Sequence, residues 1–182
     1  MRTPPTSDEE DRQKRLRLKS GDPDAFAEFY REFQPSILNY VHRLSGGNPT
    51  LAEDVSQQVF MNFWTHRNEY DLEKPLLPLL LTMARNAWLN AAKREDYRKT
   101  SELKEDGASQ QDRGLERREL ETAIEKSLTA LDEPIREVFI LSRYHGLKYS
   151  QIAQMMGISV KTVEARLSRA LQDLQKLLKD FL

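Results

Sequence analysis

The sequence predicts an all-α protein: two small helical domains joined by a flexible linker, the C-terminal one a helix-turn-helix. Three observations lead there. The stretches between breakers are rich in Leu, Ala, Glu, Gln, Lys and Arg, which lose little on entering a helix, and no run alternates β-branched with polar residues. Apolar residues recur at helical spacing through each patterned stretch. Between Lys104 and Gly114, by contrast, no apolar residue is larger than Ala108. With 38% hydrophobic and 31% charged residues, the chain suits small helical units with wide solvated faces better than one thick core.

Residues 1–19 are polar, charged and aperiodic, and read as a flexible tail. The first domain, 20–99, opens at Asp22, a capping residue followed by Pro23 at a first helical position and Asp24 in the first turn. Phe26, Phe29, Tyr30 and Phe33 share a face, which Ile37, Tyr40, Val41 and Leu44 continue beyond Pro35, where a break or kink is expected. After Gly46–Pro49, a second helix over Leu51–Arg67 is expected to bury Leu51, Val55, Val59 or Phe60, and Phe63. A third spans about Leu76–Arg98, apolar at first and basic at its end. Residues 100–118 form the linker. In the second domain, 119–182, Leu120, Ile124, Leu128 and Leu131 make one stripe, Leu131–Pro134 ends it, and a helix from Ile135 stops at Gly146.

The stretch YSQIAQMMGISVKTVEARLSRALQDL, Tyr149–Leu174, then holds two helical patterns broken once, at Gly157. Two helices crossing tightly need a small residue at the crossing, a turn residue tolerant of positive φ, and an apolar anchor facing back. Ala153, Gly157 and Val163 fill those roles, with Ile152, Met156, Ile158 and Leu167 completing a small core and Ser159 placed to cap the second helix. Lys148 stands where Ser or Thr commonly caps the first helix, so Ser150 is expected to cap instead. Facing outward are Lys161, Thr162, Glu164, Ala165, Arg166 and Arg169, side chains that can meet base edges and phosphates in a major groove. A plain α-hairpin with a solvated basic face is the competing reading.

Other classes find little support. The chain has no cysteine, which excludes disulfides and thiolate-ligated metals and fits a reducing cytoplasm. His42, His66 and His145 are isolated, and there is no HExxH motif, glycine-rich phosphate loop or nucleophile elbow, so neither an enzyme nor any cofactor or metal is expected. The N-terminus has no apolar core of a signal peptide, and the most apolar run, Leu76–Ala84, is interrupted by Pro78 and falls far short of the roughly 20 residues of a membrane span, so membrane insertion is not expected. The formal charge of −1 argues against a protein that grips nucleic acid alone by bulk charge.

AEDVSQQVFMNFW (Ala52–Trp64), TMARNAWLNAAKR (Thr82–Arg94), and LDEPIREVFIL followed by the helix-turn-helix together resemble the extracytoplasmic-function (ECF) subgroup of bacterial RNA polymerase sigma factors. The resemblance covers about Ser20–Leu182. It implies that 20–99 is sigma region 2, binding core polymerase and the melted −10 promoter element, and that 119–182 is region 4, reading the duplex −35 element. Carried across position by position, it implies core-polymerase binding by Asp54, Gln57, Gln58 (where the family usually has Glu) and Met61. It implies −10 binding by Arg85, Asn86, Asn90, Lys93 and Arg94, and −35 binding by Ser159, Lys161, Thr162, Glu164, Arg166 and Arg169. Tyr70 or Trp88 could offer an aromatic platform for unstacked bases, although Trp88 reads better as core. The expected partners are RNA polymerase core, promoter DNA and an anti-sigma factor, and the free chain is expected to be a monomer. The alternative is a free-standing helix-turn-helix transcriptional regulator that binds duplex DNA, usually as a dimer, with no polymerase role.

Overall fold

The computed structural model describes residues 7–71, 74–99 and 115–179, with side chains over 12–71, 74–93 and 122–179. Regular structure among them is entirely helical: α1 (Ser7–Ser20), α2 (Pro23–Leu44), α3 (Pro49–Thr65), a 3-10 turn (Arg67–Glu69), α4 (Leu76–Lys99), α5 (Leu115–Thr129), α6 (Glu133–Arg143), α7 (Tyr149–Met156) and α8 (Val160–Leu177). None is long and apolar enough to cross a membrane.

The helix starts follow local chemistry. Asp22 Oδ1 accepts from the backbone N–H of Asp24 at 2.9 Å and of Ala25 at 3.3 Å, ahead of Pro23 in the first turn of α2. Asn48 does the same for α3, accepting from Leu51 N–H at 3.0 Å, with Pro49 next in line. At Pro35, where a break or kink was expected, α2 remains one 22-residue helix. Pro35 is exposed, so the only bond it forfeits leaves the Arg31 carbonyl toward solvent, while Phe29, Ile37, Tyr40, Val41 and Leu44 hold both halves to one core.

Within the segment expected to be a flexible tail over 1–19, residues from Ser7 onward form a helix that runs to Ser20. Leu18 is buried against the first core, which alone contributes about 1.5–3 kcal/mol. Arg17 also reaches Asp22 at 2.7 Å, and that hydrogen bond, followed by the one from the Ala25 backbone N–H, pulls the carboxyl below its usual range. Two leucines in a polar segment, Leu16 exposed and Leu18 buried, give no helical periodicity, which is why the sequence pattern misses this helix. At the other boundary, the linker expected over 100–118 ends sooner than read, because α5 already begins at Leu115. Residues 100–114 lie outside the described ones.

Phe29 lies at the centre of an aromatic cluster, stacked on Phe63 at 4.4 Å and near Phe33 and Phe60, while Tyr70 stacks on the other part of Phe63 at 4.9 Å. Leu76, Leu80, Leu81, Ala84 and Trp88 of α4 close this core. A second, smaller core joins Leu128 and Leu131 to Ala170 and Leu174 of α8. The two modules do not stand apart: the first core continues without interruption into Val138, Ile140, Leu141, Leu147, Ile152, Val163 and Leu167 of the C-terminal helices.

Candidate functional site

Residues 54, 57, 58 and 61 of α3 recur at three and four residues, so they form one stripe opposite the buried Val55, Val59 and Phe63. Asp54, Gln57 and Gln58 are all exposed, and Met61 is 71% exposed, the most of any large apolar side chain described. A flexible thioether left in water between polar neighbours fits a contact surface better than a solvated face.

On α4 the structure divides what the sequence groups. Asn86, Asn90 and Lys93 lie on an exposed stripe, and the side chain of Arg94 lies outside the described residues. Arg85 turns the other way. Its Nε donates to Glu137 Oε1 of α6 at 2.8 Å, and its side chain is 20% exposed. Of the two aromatic candidates, Trp88 is buried in the core, and Tyr70 gives a face to Phe63 and points its hydroxyl at Met83 Sδ. Trp88 is therefore closed off as a stacking platform, while Tyr70 stays half-buried with one face on Phe63.

The helix-turn-helix forms with the expected parts. Gly157 adopts φ +66° and ψ 35°, the left-handed region that ends α7, and Ile158 N–H donates to Ala153 O at 3.0 Å across the turn. Val163 is fully buried and Leu167 nearly so, fixing the inner face of α8. Ser159 caps α8, its Oγ accepting from Thr162 N–H at 3.1 Å and lying 2.8 Å from Thr162 Oγ1, so both hydroxyls already have local partners. At α7 the expected cap at Ser150 is replaced by a reach-back: Gln151 Oε1 accepts from Lys148 N–H at 2.9 Å. A lysine side chain has no acceptor, so this is half of a capping box.

Lys161, Glu164 and Arg169 project into solvent from α8, while Thr162 and Arg166 are half-buried. Arg169 Nε is held by Asp173 Oδ2 at 2.7 Å, one turn on. The outward face is therefore basic but restrained.

What sequence reading missed lies between the modules. Glu137 is 2% exposed, and its Oε1 accepts from both Arg85 and the Tyr40 hydroxyl, the latter at 2.7 Å. Burial first, and the Glu137 charge second, push the Tyr40 phenol well above its ordinary pKa, so it stays a donor. His145 sets its ring edge-on to Tyr40 at 5.7 Å, and burial, with Arg43 adding repulsion, lowers its pKa to about 4. A signal was present: Glu137 stands three and four residues before Ile140 and Leu141, a carboxylate in phase with the apolar face of α6. Among the described residues, no group of His, Asp and Glu is arranged to hold a metal ion.

Comparison with known proteins bears on what these surfaces do. Residues 29–98 match the model of sigma-70 region 2, and residues 121–174 match sigma-70, region 4. The ECF RNA polymerase sigma factor SigW of Bacillus subtilis is 26% identical over 183 residues, spanning 92% of this chain and 97% of the relative. The RNA polymerase sigma factor CarQ of Myxococcus xanthus is 27% identical over 169 residues, spanning 89% and 94%. Among solved structures, the sigma factor RpoE of Bartonella quintana, in complex with the anti-sigma factor NepR, matches with a TM-score of 0.72 at 27% identity, over 85% of this chain and 96% of that one. CnrH, in complex with the cytosolic domain of CnrY, matches with a TM-score of 0.66 at 25% identity, over 93% and 97%. The two family models fall in order on the two helical modules, and the relatives align along nearly the whole length. The chain therefore belongs to the ECF subgroup of the sigma-70 family, the sigma factors that direct bacterial RNA polymerase to promoters.

Proposed function

We propose a division of labour across the surfaces described above. The α3 stripe of Asp54, Gln57, Gln58 and Met61 docks on core polymerase. Asn86, Asn90, Lys93 and Arg94, joined by Arg85 once it is released from Glu137, take the −10 element. The helix-turn-helix takes the −35 element, with Lys161, Glu164, Arg166 and Arg169 toward the DNA and Ser159 and Thr162 shaping the helix start. The work is binding, not catalysis: melted DNA is held by charge along its backbone, and the duplex is read from the major groove. By analogy with RpoE bound to NepR and CnrH bound to CnrY, an anti-sigma factor is the antagonist to look for.

The observation that carries this reading is the α3 stripe. A freely exposed methionine flanked by an acid and two amides, opposite a fully packed face, is a surface built for a protein partner rather than for DNA. It also separates this reading from a free-standing regulator, which has no use for such a stripe. The test adds purified protein to bacterial core polymerase and maps transcripts on a promoter library. Initiation from a small promoter set, reduced by Met61→Ala together with Asp54→Ala at unchanged helix content, is the expected result. A protein that ignores core polymerase but binds duplex DNA tightly by itself sinks the proposal.

A further inference from the structure

We propose that Arg67 is a positioning residue for −10 recognition: it braces the turn before Tyr70 against the end of α1, so that an aromatic ring stands fixed at the head of the α4 stripe. The inference rests on the reading that Asn86, Asn90 and Lys93 take the −10 element. It starts from Met83. Met83, Asn86, Asn90 and Lys93 recur at three, four and three residues, along one face of α4. The Tyr70 hydroxyl points at Met83 Sδ at 3.8 Å, and Asn86 follows Met83 by about 4.5 Å along the helix axis. Tyr70 gives one face to Phe63 and is half-buried, so part of its ring stays open to water. Beside it, Pro75, Pro78, Leu79 and Thr82 help line a cleft of about 630 Å³, within the range of small-ligand sites, about 300–1,000 Å³.

Arg67 fixes this turn through three contacts. Its Nη1 donates to the Trp64 carbonyl at 2.7 Å, one of the last carbonyls of α3, which lack partners within the helix. Its guanidinium carbon lies 4.3 Å over the Trp64 ring, against which Phe26 of α2 packs at 4.6 Å. Its Nη2 lies hard against Gly21, where an added Cβ would come within 2.8 Å. Gly21 is in turn set by α1. Its N–H donates to Leu18 O at 3.2 Å, the Asp22 N–H donates to Arg17 O at 3.1 Å, and Leu18 is buried in the core. The brace therefore runs from α1 through Gly21 and Arg67 to the turn Arg67–Glu69, which Tyr70 follows.

A plain helix cap would ask less of this side chain. Capping α3 needs one N–H on a free carbonyl, and an arginine doing only that keeps its other donors in water. Here Nε is buried with no hydrogen-bond partner among the described residues, a cost that comes with pressing the planar group between ring and glycine. What the arrangement offers is preorganisation. A base gains most from a ring that is already fixed, since ordering the turn at the moment of binding subtracts from affinity.

The test uses core polymerase loaded with the full chain, and a single-stranded oligonucleotide carrying the non-template −10 sequence of a promoter found by transcript mapping. Tyr70→Ala and Arg67→Ala should each weaken binding about tenfold, the scale of one lost base stack, at unchanged helix content, core association and −35 duplex affinity. In the Tyr70→Ala background, Arg67→Ala should add less than about twofold, because it acts through the ring. Arg67→Lys keeps the charge without the flat, forked group, so it should weaken binding nearly as much, and it serves where Arg67→Ala lowers stability too far. Full additivity of the two alanine variants overturns the proposal, as does wild-type affinity in Arg67→Lys. A salt dependence shallower by about 0.7 units of slope in Arg67→Ala overturns it too, because Arg67 would then touch phosphate itself. Asn86→Ala and Asn90→Ala separate the two readings. If they weaken binding and Arg67→Ala does not, the brace alone falls; if none of the three does, the −10 reading falls with it.

Discussion

Replacing Gly157 with Ala separates backbone torsion from packing at the turn of the helix-turn-helix. Gly157 sits at φ +66°, where an L-residue is strained, yet a Cβ built on it meets no atom within 4 Å. No clash contributes, so the whole penalty is torsional, about 1–2 kcal/mol for a left-handed L-residue, part of it offset by the lower entropy of the unfolded Ala chain. A net loss of about 1 kcal/mol should lower the melting temperature by roughly 2–4 °C for a chain of this size. Gly157→Asn should lose less, because Asn tolerates this region through its short polar side chain. Gly21→Ala should lose more than Gly157→Ala, since its φ is +85° and its Cβ would come within 2.8 Å of Arg67 Nη2. The assay is thermal unfolding followed by circular dichroism, with −35 DNA affinity measured well below the transition. That affinity should change less than twofold, because neither substitution alters the Ile158-to-Ala153 bond that sets the angle of α8. The reasoning fails if Asn costs as much as Ala, or if Ala costs more than about 3 kcal/mol, since space and not torsion would then be limiting.

Three further outcomes can be measured. Arg166→Ala should weaken −35 recognition by about 1–3 kcal/mol and leave core-polymerase association intact; loss of association instead would misplace its role. Asp173→Asn frees Arg169 from its 2.7 Å partner, so duplex affinity should rise and the salt dependence steepen by up to about one unit of slope; an unchanged slope would keep Arg169 away from phosphate. His145 is held neutral, its pKa lowered from 6.5 to about 4, so the unfolded chain binds the extra proton as pH falls between those values. The folded chain should therefore lose stability from pH 6.5 down to about 4, by at most about 3 kcal/mol, and His145→Asn should flatten that dependence in pH-resolved melts.

What could be read from sequence was whatever local periodicity and turn chemistry determine. Asp22, Gly157 and Ser159 act within a few residues of themselves, and each does in the structure what its chemistry suggests. The exposure of Met61 followed from helical phase alone. Two kinds of feature escaped. The first is structure that few contacts decide: α1 buries Leu18 and pairs Arg17 with Asp22, which leaves no apolar repeat in the sequence. The second is pairing across a long separation. Arg85 and Glu137 stand 52 residues apart, and Tyr40 and Glu137 stand 97 apart, so nothing near any of them announces the other two. Arg85 was grouped with Asn86, Asn90 and Lys93 by motif, but adjacent helix positions differ by about 100° in direction, and that rotation carries Arg85 into α6.

The weak net charge answers a physical problem. A chain that met DNA freely would be titrated by the large excess of non-promoter sequence, to which affinity grows with the number of phosphates neutralised. On the outward face of α8, Lys161, Arg166 and Arg169 oppose Glu164, and Arg169 is already paired with Asp173, so few counterions can be released. If region 4 by itself binds at about 10 μM, tethering it to polymerase already on the promoter supplies an effective concentration on the order of 1 mM, a gain of about a hundredfold without a new contact. The ion pair with Glu137 likewise engages the Arg85 guanidinium, which leaves one cation fewer on the surface of α4. On the proposed reading, low charge sets how weakly each half binds alone, and tethering to polymerase supplies what the missing charge does not.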